Sequence, residues 1–138
     1  AALAETGQAV PDEPASLARV VLDSLALRYA SVVRTIESLT GEPVRGIHVV
    51  GGGCRNEYLN QATADASGLP VQAGPVEATA TGNLLLQAIA CGHVGSLAEG
   101  RARVAGSVDV RRFEPRAGAP VTLLGGRYRE LEARALGS

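Results

Sequence analysis

"RGIHVVGGGCRNEYLNQATADASGLPVQAG", residues 45–74, reads as a strand, a helix and a second strand in quick succession. "RGIHVV" (45–50) is short, β-branched and closed by glycine, the marks of a buried strand, in which His48 is expected to be a packed residue. From Asn56 to Ser67, Tyr58, Leu59, Ala62 and Ala66 fall at helical spacing, and Gly68 suits the position just past a helix end. "LPVQAG" (69–74) is a second short strand with Pro70 near its start, where strands tolerate proline. Strand, helix and strand in that order predict a parallel pair joined by a right-handed crossover.

Upstream, "PDEP" (11–14) predicts a helix start with Asp12 as N-cap and Pro14 in the first turn. Ala18, Leu22, Leu25, Tyr29, Val32, Ile36 and Leu39 then recur at spacings of four and three, which makes a helix of about seven turns. Leu17, Val20, Val21, Leu27 and Val33 widen the apolar stripe beyond a coiled-coil seam, so this helix is expected to pack inside a domain. "TGEP" (40–43) ends it. Downstream, a helix runs through "ATGNLLLQAIACG" to Gly92, and Ser96 with Glu99 forms a capping box for "SLAEGRARVAG". "DVRRFEPR" (109–116) is expected to be extended, and "TLLGGRYRELEARAL" closes the chain as a helix interrupted at Gly125 and Gly126. The expected fold class is α/β, short parallel strands flanked by helices.

The chain has 138 residues, 46% of them apolar and 20% charged, enough for one core and hence one domain over 1–138. Its four aromatics, Phe113, Tyr29, Tyr58 and Tyr128, leave the core to Ala, Val and Leu. The net charge is −1 with basic residues scattered, so no electrostatic footprint for nucleic acid or an anionic membrane appears. All 13 basic residues are Arg, and without lysine this chain has no Walker A, Schiff-base or lysine-base chemistry. Cys54 and Cys91 match no metal spacing and give a reduced, cytoplasmic setting as the default. No apolar run is long enough for a membrane span, and the N-terminus lacks the charged and apolar regions of a signal peptide. It begins on Ala rather than Met, as a processed chain or a piece of a longer one would.

Three glycines in a row, Gly51 to Gly53, stand between the first strand and the polar helix start. Such a junction places bare backbone N–H groups and the positive end of a helix at one point, which suits a phosphate or a nucleotide. The plain alternative is a tight turn that needs positive φ. A dinucleotide fingerprint from Gly51 fails, because Asn56 stands where glycine is required and Gln72 and Ala73 where the acid is required. Cys54 at a helix N-terminus reads either as an activated thiolate or, more strongly, as a small buried hydrophobe. In "AGPVEATATGN" (73–83), Glu77 caps the next helix, braces the loop or shapes the pocket, the first two being the commoner outcomes.

Together, "IHVVGGGCRNEYLNQATADASGLPVQAGPVEATATGN" (47–83) resembles the C-terminal lobe of the FGGY carbohydrate kinases. "SLALRYA" upstream and "DVRRFEP" downstream extend the likeness from about Glu5 to Pro115, leaving 1–12 and 117–138 as the less diagnostic edges. Within the family it is most similar to the branch acting on L-rhamnulose. The resemblance implies an actin-like ATPase (ribonuclease H-like) fold of two lobes with ATP in the cleft. It implies MgATP-dependent phosphorylation of L-rhamnulose at its 1-hydroxyl, in L-rhamnose breakdown. Gly51, Gly52, Gly53, Arg55 and Asn56 would then contact the adenosine and α-phosphate side of ATP, with Gly52 and Gly53 admitting the ligand and Asn56 offering an amide. Magnesium would be held mainly by the phosphates and by residues outside this chain. The family's sugar site and catalytic Asp lie upstream, and none of Asp12, Asp23, Asp65 and Asp109 stands in a matching motif. No catalytic residue is therefore expected here, and the chain alone is expected to be inactive and to self-associate through uncovered apolar surface. The open alternatives are a free-standing α/β nucleotide- or ligand-binding module, the lobe of a fuculose, xylulose or glycerol kinase, and, most weakly, a Cys54 hydrolase.

Overall fold

The computed structural model describes residues 7–137, with Leu136 described by its backbone. Residues 1–6 of the N-terminal edge lie outside the described residues. Helix α1 runs Pro14–Thr40. It starts one residue later than expected, with Glu13 as N-cap and no side-chain cap bond. Pro14 at the first helical position explains the shift, since its fixed φ suits N1 and its missing N–H costs nothing there. Gly41, at φ +70, ends the helix by donating its N–H to the Glu37 carbonyl at 2.9 Å.

Strand β1 is Ile47–Val49, and a short 3-10 helix over Gly51–Arg55 leads into helix α2, Glu57–Ser67. Strand β2, Val71–Ala73, pairs with β1 in parallel, Ile47 opposite Val71 and Val49 opposite Ala73. Helices α3 (Ala78–Ala90) and α4 (Leu97–Ala105) follow, then strand β3 (Arg111–Phe113) and helices α5 (Pro120–Leu123) and α6 (Gly125–Leu136). The sheet order is β1-β2-β3. β3 runs antiparallel to β2, so the sheet is mixed rather than wholly parallel. Two helices separate β2 from β3; the second carries the chain back to the end from which it left, and the next strand must then run the other way.

Val71 and Ala73 are buried on the face that meets α2. The alternation of a strand sends His48, Gln72 and Arg112 to the opposite face. There His48 and Arg112 are exposed and Gln72 half-buried, so His48 is not the packed residue expected and β1 is only half-buried.

α2 lies between α1 and the sheet and packs over α1 more extensively than any other pair of described elements. Small residues keep the packing close: Ala26 and Ala30 on α1 and Ala62 and Ala64, on opposite sides of α2, are all buried. A second cluster, Leu27 with Ala119 and Val121 and flanked by Ala66 and Tyr128, docks the C-terminal segment. The stripe picked out by periodicity is not the face that α1 buries. Leu25, Tyr29, Val32 and Ile36 are each about two-fifths exposed, and Leu39 is 81% exposed. α1 therefore carries two apolar faces, and the described residues cover one.

Candidate functional site

The carboxyl ends of β1 and β2 lie side by side, and each leads into a glycine-bearing turn. Two backbone bonds tie the turns together: Gly74 N–H donates to the Val49 carbonyl at 2.9 Å, and Gly51 N–H to the Pro75 carbonyl at 3.2 Å. "GGGCRN" and "AGPVEA" are thus neighbours in space, at the edge of a sheet where α/β proteins hold ligands.

The three glycines have different reasons to be glycine. Gly51 adopts φ +75, a left-handed conformation that side chains resist. At Gly53 a Cβ would press on Val49 Cγ1 at 3.3 Å. Gly52 has no positive φ, and a Cβ there would meet nothing within 4 Å. In a 3-10 helix the first two N–H groups precede the first internal bond. Pro75 takes that of Gly51, which leaves the N–H of exposed Gly52 as the donor facing out.

Cys54 is 5% exposed, and its thiol donates to the Val49 carbonyl at 3.0 Å, so it packs the loop onto β1 as a small buried group. Arg55 is exposed at the end of the turn. Asn56 is the N-cap of α2, its side-chain oxygen accepting the Leu59 N–H at 3.0 Å. Its side-chain nitrogen has no hydrogen bond among the described residues. Glu77 occupies the N-cap position of α3 without a side-chain bond to the backbone, so it does not cap as expected. The Ser96–Glu99 box forms in a shifted version: Ser96 Oγ accepts the Glu99 N–H at 3.1 Å, while Glu99 reaches the N–H of Gly95 at 2.9 Å.

Three buried polar residues of α2, Asn60, Thr63 and Asp65, escaped the pattern reading, because a helix covered on two sides buries more than its apolar stripe. Thr63 donates to the Leu59 carbonyl at 2.7 Å. Asn60 reaches into the glycine turn, donating to the Cys54 carbonyl at 3.1 Å and to that of Gly53 at 3.4 Å. Its residue type did not mark it out, because Gln61 beside it is also an amide and the helix carries polar residues on several sides. Asp65 accepts from the Arg116 backbone N–H at 2.8 Å, from Arg116 Nη2 at 2.7 Å and from Gln61 at 2.9 Å. Burial alone pushes its carboxyl up, but these donors outweigh burial and hold it below the usual range. The clip closes a polar notch of about 420 Å³ that Tyr58 also lines. Its phenol, raised by burial and by Asp23, donates to Asp23 at 2.5 Å.

A second hollow, an apolar trough of about 700 Å³ between α3, α4 and the sheet, begins at Gly74 and Pro75 and continues along Leu85, Leu97 and Val104. Gly100 lets the two helices touch, since a Cβ there would lie 2.1 Å from Leu85 Cδ1. Among the described residues no three His, Cys, Asp or Glu side chains gather as a metal site, and no helix is long and apolar enough to cross a membrane.

Residues 1–91 match the model of the FGGY family of carbohydrate kinases, C-terminal domain. Among curated proteins, the chain is 43% identical to rhamnulokinase of Bacteroides thetaiotaomicron over 110 residues, covering 80% of this chain and 23% of that protein. It is 44% identical to rhamnulokinase of Bacillus subtilis over 112 residues, 81% of this chain and 23% of the relative. With rhamnulokinase of Pectobacterium carotovorum the figures are 46% over 113 residues, 82% and 23%. The chain spans about a quarter of the length of the curated relatives it matches.

Proposed function

The chain belongs to the FGGY family of carbohydrate kinases, and from that premise we propose that it is the nucleotide-binding C-terminal part of a rhamnulokinase. The reaction is transfer of the γ-phosphoryl group of MgATP to the 1-hydroxyl of L-rhamnulose, giving L-rhamnulose 1-phosphate and ADP, within L-rhamnose breakdown. The helices and short sheet are read as part of an actin-like ATPase lobe that closes on ATP from one side.

The observation that carries the nucleotide half is Gly52, whose missing side chain the fold itself does not require. An outward N–H beside open space is what a phosphate or ribose oxygen would use. Arg55 adds a positive charge at the same turn, and the Asn56 nitrogen a further donor. ATP brings the transferable phosphoryl group; the role of this chain is to hold and orient the nucleotide. By the family resemblance, magnesium is assigned mainly to the phosphates and to residues outside this chain, and the catalytic base likewise. Two free cysteines suit a reducing, cytoplasmic compartment.

Specificity is tested in the complete kinase by comparing kcat/KM for L-rhamnulose with that for L-fuculose, xylulose and glycerol under saturating MgATP. A preference for L-rhamnulose of about a hundredfold is expected; an equal or better rate on another of these would move the chain to a different branch. Assay of the 138-residue chain alone should give no phosphorylation, and turnover by it would overturn the assignment of the catalytic groups elsewhere.

A further inference from the structure

We propose that Asn60 is a positioning residue for the nucleotide, acting through the glycine turn; this rests on reading that turn as the nucleotide site. Asn60 is 1% exposed on α2, and burying an amide is favourable only where its hydrogen bonds are made. Its side-chain nitrogen donates to the carbonyls of Cys54 and Gly53, at 3.1 and 3.4 Å. The Gly53 carbonyl also accepts the Asn56 N–H at 3.1 Å. In a short 3-10 helix the carbonyls point one way along the axis and the N–H groups the other. Drawing the two carbonyls down onto α2 therefore fixes the direction in which Gly52 presents its N–H.

Two further ties complete the hold, the Cys54 thiol on Val49 and the Gly51 N–H on Pro75. Of these anchors Asn60 is the side chain that comes from α2, so it sets the turn against the helix that follows. A leucine would fill the same space and take this donor from the Cys54 carbonyl, while the Gly53 carbonyl keeps the Asn56 N–H. The amide is thus placed for the geometry of the turn, where a small displacement is felt by a bound nucleotide.

The test uses the complete kinase with Asn60→Asp and Asn60→Leu, measuring KM for ATP, KM for the sugar and thermal melts, at neutral and mildly acid pH. Asn60→Asp sets a carboxylate against two carbonyls. KM for ATP should rise by about tenfold or more while KM for the sugar moves less than about twofold. Because a carboxyl buried against carbonyls binds a proton more readily, part of the loss should return at the lower pH as the acid regains a donor. Asn60→Leu should show the same split without the return. Unchanged KM for ATP in a folded variant, an equal rise in both KM values, or failure of both variants to fold would each overturn the proposal. Wild-type enzyme whose rate does not saturate with ATP would defeat the nucleotide reading itself; normal ATP saturation with unaffected variants would defeat only the role of Asn60.

Discussion

Gly51 and Gly52 are adjacent and chemically identical, yet the turn asks different things of them. Gly51 holds φ +75, so Gly51→Ala should lower stability by about 1–2 kcal/mol. Gly52→Ala, with open space around the new Cβ, should change it by at most a few tenths or raise it slightly. Urea unfolding of the two variants checks the contrast, and equal losses would mean that both glycines serve the turn alone. Gly74 is more constrained: at φ +136 its Cβ would lie 2.5 Å from the Asp109 carbonyl oxygen. Gly74→Ala should cost about 1–3 kcal/mol by the same measurement, and a neutral result would contradict this packing of β2 against the approach to β3. Three glycines in a row were legible as a demand for bare backbone. Which of them the fold needs was not, because φ and the distance to Val49 are set by the neighbouring strands.

Among the elements, the ends marked by glycine and asparagine were readable because their signals are local, whereas Asp12 and Glu77 do not cap and the last helix runs through Gly125 and Gly126. Gly41, Gly68 and Asn56 do at the ends of α1 and α2 what their residue types suggest. What escaped was set by partners distant in sequence. The antiparallel course of β3 depends on a pair of helices rather than one, and the buried face of α1 is chosen by Ala26 and Ala30 against α2 rather than by the larger stripe. The Asp65–Arg116 clip joins positions far apart in sequence, and no spacing rule reaches that far. Its pH dependence follows from sign. The Asp65 carboxyl is held below its ordinary value in the fold, so its contribution is complete above the unfolded value of about 3.9. That contribution is lost as pH falls through the lower folded value. Asp65→Asn should therefore flatten the acid limb of a melting-temperature profile taken between about pH 2 and 6; an unchanged profile would show that the clip does not contribute.

The whole molecule exposes 9170 Å², against roughly 6,700 Å² expected of a compact monomer of this mass. Part of the exposed surface is apolar and lies on two helices. Leu17, Val21, Leu25, Tyr29, Val32, Ile36 and Leu39 form an exposed apolar stripe along α1, and Leu84 and Leu86 stand out on α3, which has no buried residue. Such surface is expected to find a partner, and in the kinase reading the partner is the rest of the enzyme. The isolated 138-residue chain should accordingly self-associate, with sedimentation showing larger species as concentration rises; a strict monomer at high concentration would speak against uncovered interfaces. Whether the glycine turn receives the nucleotide is decided by KM for ATP in the complete kinase carrying Gly52→Val. A nucleotide seated on the turn requires a rise of about tenfold or more with the melting temperature and the sugar KM nearly unchanged, whereas a folded variant with wild-type KM for ATP would mean that the nucleotide binds elsewhere.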